Sequence, residues 1–195
     1  MASLDILGTK HIAGGNFEDI SVLGVLNADE EVTCKELDIL GKAFFEKKLI
    51  AKDIDILGVA EFKGDVKCEN IDIVGVAKII GNLDATTLDL VGILNIDGDV
   101  NVDKAEIATN KSSFNNIYGD KIRFVRPKHV KVSSGDSIVT VNEIDATTIV
   151  LRDVRVKKVS GEDIKILDGV EVDVVEYSKS LSISKNAKIG KIIKF

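Results

Sequence analysis

Six glycines set the register of the first half of this chain. Each closes one version of a short phrase: Leu4-Asp5-Ile6-Leu7-Gly8, Ile20-Ser21-Val22-Leu23-Gly24, Leu37-Asp38-Ile39-Leu40-Gly41, Ile54-Asp55-Ile56-Leu57-Gly58, Ile71-Asp72-Ile73-Val74-Gly75 and Leu88-Asp89-Leu90-Val91-Gly92. The glycines fall 16, 17, 17, 17 and 17 residues apart. Aligned on them, later units carry two further apolar pairs. One is Leu26/Ala28, Ala43/Phe45, Ala60/Phe62, Ala77/Ile79 and Leu94/Ile96; the other is Val32/Cys34, Leu49/Ala51, Val66/Cys68, Leu83/Ala85 and Val100/Val102. Members of a pair are separated by one residue, which is the signature of a strand with one buried face. A unit this short cannot bury that face alone and must stack on its neighbours. The pattern predicts an all-β chain: a single-stranded parallel β-helix of triangular cross-section, three short strands per rung and about 17 residues per rung. Equivalent residues then lie one strand spacing apart, about 4.8 Å.

Residues 1–109 hold the regular rungs, and residues 110–195 read as less regular ones. A second template appears there: Phe114, Ile117, Ile122, Phe124 recurs as Val141, Ile144, Ile149, Leu151, then as Val156, Val159, Ile164, Ile166. Val172, Val175, Leu181 and Ile183 repeat it with one extra residue. Residues 125–140 break the register and carry Arg126, Pro127, Lys128, His129 and Lys131, which predicts a basic loop. Ten or eleven rungs would span roughly 50 Å.

Composition agrees with strands: Ile, Val and Leu dominate the apolar set, with one Pro to interrupt them. No apolar run reaches the ~18 residues of a membrane span, and the N-terminus does not read as a signal peptide, so a cytoplasmic location without direct membrane insertion is expected. A net charge of −6 argues against a nucleic-acid partner. The charge is unevenly spread. Residues 1–109 carry 10 Lys and Arg against 21 Asp and Glu, a net of −11, whereas residues 110–195 carry 16 against 11, a net of +5.

The recurring rung, clearest from Ile54 to Cys68, resembles that of the bactofilins, the bacterial polymer-forming cytoskeletal proteins. The tail, with Ile164-Lys165-Ile166 and Ala187-Lys188-Ile189-Gly190, looks like the divergent C-terminal half of firmicute-type members. The resemblance implies a right-handed coil that polymerises end to end without nucleotide, often near the membrane, in cell shape or motility. It implies self-association, and as further partners other bactofilin-like or envelope-associated proteins. Long disordered tails and an N-terminal membrane-targeting segment, usual in the family, are not seen.

An open solenoid end exposes backbone donors, acceptors and a slice of core. Leu4 and Ile6 at one end, and Ile192, Ile193 and Phe195 at the other, are therefore the candidate polymer contacts. A terminal segment folding over its own end is the alternative. Charge asymmetry favours head-to-tail contacts, whereas the family's filaments are non-polar, and polarity stays open.

Parity points Leu7, Leu23, Leu40, Leu57, Val74 and Val91 outward as an apolar lateral stripe, unless alternation fails at the corner and tucks them inside. The same parity turns Asp5, Asp38, Asp55, Asp72 and Asp89 outward, with Ser21 interrupting. Mutual repulsion should raise their pKa values. A calcium ladder would need a second regular acidic column, and none is evident.

Cys34 and Cys68 fall in one inward column two rungs apart, about 9.6 Å, too far for a disulfide. His11 and His129 lie in no cluster suited to catalysis, and no phosphate-cradling motif occurs. No catalytic residue, cofactor or metal site is expected. The leading reading is a non-enzymatic, self-assembling scaffold. The alternatives are a monomeric binding module and an acyltransferase of the left-handed hexapeptide class, whose 18-residue coils fit a spacing of 17 poorly.

Overall fold

Residues Asp53–Ile56, Val59–Phe62 and Val66–Lys67 form one rung of three short strands. Ile54, Ile56, Ala60, Phe62, Val66 and Cys68 point inward and are buried. The computed structural model describes residues 2–126 and 139–195. Its 21 strands belong to one continuous sheet, and among the described residues there is no helix. Rung-to-rung pairing is parallel, with Asp55 level with Asp38 and Asp72, and Phe62 level with Phe45 and Ile79. The protein is an all-β parallel solenoid of about 11 turns with about 17 residues per turn.

One inward column runs the whole stack. Its members are Ile12, Ala28, Phe45, Phe62, Ile79, Ile96, Phe114, Val141, Val156, Val172 and Ile189, each paired with the next. Ten spacings make the stack about 48 Å long. The second half therefore continues the same solenoid. Its apolar template is the inward set of each rung: Ile144 pairs with Ile117 and Val159, and Ile149 with Ile122 and Ile164. The extra residue of the last repeat is a register shift between Gly161 and Asp163.

Across Leu26/Ala28, Ala43/Phe45 and Ala60/Phe62, core volume is kept by exchange within a rung. Leu26 sits with Ala28; one rung on, Ala43 sits with Phe45, then Ala60 with Phe62. The Phe45 and Phe62 rings stack with centroids 5.2 Å apart and 14° between planes. Large and small residues trade places, and the prism stays filled.

The glycine column has a steric cause. A Cβ on Gly24, Gly41, Gly58, Gly75 or Gly92 would lie 1.9–2.3 Å from the carbonyl oxygen of the glycine one rung earlier. In these rungs only glycine fits the corner at strand spacing. The residue before it remains in the ladder: the amides of Leu40 and Gly41 both donate to the Val22 carbonyl at 2.9 Å. Strand alternation thus survives into the corner.

After Val91 the corner changes character. Counting from the paired positions, the glycine column is followed by Thr109, Arg126, Asp153 and Asp168. Asp153 takes a left-handed φ of 52° and is gripped by Arg126, Nε to Oδ2 at 2.9 Å and a second nitrogen to Oδ1 at 3.1 Å. Asp168 accepts hydrogen bonds from Ser184 and Asn186. The backbone ladder continues here, with the Leu167 amide donating to the Leu151 carbonyl at 2.8 Å, and side-chain staples are added to it where glycine is lost. Of the expected basic loop, residues 127–138, including His129, lie outside the described residues.

Candidate functional site

Two surface features stand out once the core is assigned: an exposed apolar corner along the first six rungs, and the outer edges of the first and last described rungs.

Leu7, Leu23, Leu40, Leu57, Val74 and Val91 are 50–81 % exposed. Alternation holds at the corner, so these side chains point into solvent and do not tuck inside. The next column outward of the glycines adds to them: Val59 and Val76 are exposed, and Val25 and Ile93 half-buried. That second column is legible in the aligned repeat as Thr9, Val25, Lys42, Val59, Val76, Ile93, apolar in four of six positions. Between the two columns the glycines leave a notch that no side chain can fill. The stripe ends with Val91, because Ala108 in the same column is buried.

At the first rung, Ala2–Ile6 pairs only with Gly15–Val22, and Thr9–Ile12 only with Val25–Ala28. At the last, Lys188–Lys194 pairs only with Glu171–Ile183. The outward edges of these strands have no partner among the described residues. Leu4 and Ile6 are already enclosed by their own rungs, at 9 % and 3 % exposure. Ile193 is half-buried, whereas Ile192 and Phe195 are 50 % and 70 % exposed.

Reading the repeat alone missed what replaces the core at the first rung. Lys10 occupies the inward column of Leu26, and Gly15 that of Val32. Gly8 differs from every other corner glycine in having nothing within 4 Å of its missing Cβ. It keeps the docking shape of a corner with no rung beneath it.

The Asp column is as expected in placement, and it extends one rung further, through Glu106, before reversing sign at Arg123. The Asp38 and Asp72 carboxyls are held above the usual carboxylate range. Partial burial is the larger cause, with the Asp55 charge acting on Asp38, and Asp89 and Asp55 on Asp72. In the second half, columns alternate in sign. Arg155 and Lys188 both hold Glu171, at 2.9 and 2.7 Å, and Lys158 lies 3.3 Å from both Glu143 and Glu176. Glu171 is correspondingly held below the usual range, by Lys188 first and then Arg155.

Nothing among the described residues assembles a reactive centre. Cys34 and Cys68 are free and buried, and burial pushes both thiols up to about 12. His11 meets Asp29 at 2.5 Å on the surface. No group of three or more His, Cys, Asp or Glu among the described residues is placed to hold a metal. One shallow open depression of about 430 Å³ follows the small-residue column of Cys68, Ala85, Val102 and Gly119. Its rim carries Lys67, Asp84, Asp103 and Tyr118, with no exposed thiol or imidazole among them. No helix among the described residues is long and apolar enough to cross a membrane.

Comparison with family models, with curated proteins and with solved structures gives no match.

Proposed function

We propose that this protein is a non-enzymatic scaffold that self-assembles in the cytoplasm, close to the membrane, by stacking solenoids end to end without nucleotide. The observation that carries this reading is the pair of unpartnered parallel-sheet edges, one with the vacant corner of Gly8 and one with exposed Ile192 and Phe195. A second solenoid laid on such an edge continues the backbone ladder. The same edges left bare invite uncontrolled pairing. The resemblance of the Ile54–Cys68 rung to that of the bactofilins supports the same reading, and extends the partners to similar or envelope-associated proteins.

Light scattering across a concentration series tests it. Wild type is expected to grow beyond the monomer, and both Gly8→Val and Phe195→Arg to remain monomeric with an unchanged circular dichroism spectrum. A monomer at every concentration and salt would leave the binding-module reading in its place. Acyl-CoA binding would instead favour the acyltransferase class.

A further inference from the structure

The apolar corner stands apart from end-to-end stacking, since it runs along the side of the solenoid. We propose that it is a lateral contact surface whose occupant is a second copy of this chain, lying parallel to the first with stripe against stripe.

Pitch selects the occupant. The six side chains ride on a rigid ladder at about 4.8 Å per step, about 24 Å in all. A helix touching the stripe once per turn advances ~5.4 Å and falls about 3 Å out of step over that length. An extended strand presents same-face side chains every ~6.8 Å and matches worse. Another ladder of the same spacing stays in step throughout.

Shape agrees. In cross-section the corner is a ridge of Leu and Val, a glycine notch, and a second, lower ridge containing Val59 and Val76. A second copy turned to face the first sets its Leu ridge into that notch. The notch cannot close, because a Cβ there would strike the preceding rung.

Charge selects the orientation and disfavours a lipid surface. Asp38, Asp55, Asp72 and Asp89 flank the stripe on one side, each two residues before a stripe residue and on the same outward face. An anionic bilayer would be repelled by them. The column on the other flank is mixed: His11, Asn27, Phe44, Glu61, Lys78 and Asn95. A two-fold axis along the solenoid sets each Asp column beside the partner's mixed column, where Asp72 meets the level of Lys78, Asp55 that of Glu61, and Asp38 and Asp89 those of uncharged Phe44 and Asn95. A two-fold axis across the solenoid sets Asp column against Asp column.

A ridge about 24 Å long and one corner wide is a narrow contact beside the ~1,600 Å² of a standard stable interface, so a single pair is weak. Repetition along a stacked filament would strengthen it by avidity. Both copies bring an acidic half of net −11, so association should strengthen as salt screens them.

Single-cysteine variants with a short bis-maleimide test the proposal, since the two native cysteines are buried. Leu23→Cys and Val74→Cys should each cross-link to themselves, with a yield that rises with salt. Lys48→Cys, exposed away from the stripe, supplies the background level. Leu40→Glu with Leu57→Glu should weaken self-association at least about tenfold while leaving end-to-end growth intact. No cross-linking above the Lys48→Cys level would overturn the proposal. Cross-linking only between mixed Leu23→Cys and Val74→Cys chains would overturn the parallel orientation.

Discussion

The two halves of the solenoid share one core and one set of columns, but they hold their corners differently. In the first half the corner is a glycine ladder, where backbone rests on backbone and the preceding apolar side chain is pushed into solvent. In the second half Asp153 and Asp168 take the corner, and Arg126, Ser184 and Asn186 staple them. The outer faces differ in one column. Acid stacks on acid from Asp38 to Glu106, whereas Arg155, Glu171 and Lys188 alternate, as Glu46 and Lys63 also do on another face of the first half. A like-charged column and a bare apolar ridge contribute little to a lone solenoid's stability. Their restriction to one half is what the proposed lateral contact would use.

The sharpest way to break this comparison is at the glycines. Gly58→Val places a Cβ 2.1 Å from the Gly41 carbonyl oxygen and should cost more than about 4 kcal/mol, or prevent folding. Gly8→Val should cost under about 1 kcal/mol, because its site is open. Denaturant titration that found the two equal would remove backbone contact as the reason for the ladder. Next in size is the volume exchange. Phe62→Ala should lose about 3–5 kcal/mol, and adding Ala60→Leu should restore about half of it, since Leu26 with Ala28 already shows that packing. A double mutant no better than the single would contradict the exchange.

Arg126→Ala probes the stapled half. It leaves Asp153 in its left-handed conformation without its partner, and the half-exposed pair should be worth no more than about 1 kcal/mol. Hydrogen exchange should show that loss locally, at the rungs around Asp153, with the glycine half unaffected.

The smallest effect is on pH dependence, and it has opposite signs for the stacked acid column and for the hydrogen-bonded carboxylates. Asp38 and Asp72 have raised folded values, so they cost stability at neutral pH and the cost is relieved as pH falls through those values. Asp168 and Glu171 have lowered folded values, so their contribution is present above the unfolded value and lost as pH falls through the folded one. Glu18 and Asp53 follow the second pattern within the first half. A site-resolved NMR titration that placed Asp72 below Asp168 would reverse the comparison.

The fold was legible because a period of 17 with paired alternation admits few packings, and the four-residue template of the second half named its inward set residue by residue. The exposure of Leu40 and its equivalents turned on whether strand geometry reaches the corner. That depended on the Leu40 and Gly41 amides sharing the Val22 carbonyl, a three-dimensional fact. The Asp38 shift was expected from repulsion and comes first from burial, which a single sequence does not report. The Arg126–Asp153 staple joins residues 27 apart, across an insertion, and leaves no periodic trace. At the first rung, Lys10 and Gly15 in core columns were visible as departures from the repeat, but only the register of the sheet shows that they fall in those columns.

As the proposed unit of a longer assembly, the solenoid should join its ends to those of other copies. Cryo-electron microscopy of the purified chain tests it most directly. Rods many times the ~48 Å of one solenoid are expected, with the ~4.8 Å rung spacing running unbroken across each junction. Isolated particles of single-solenoid length at every concentration and salt would contradict it.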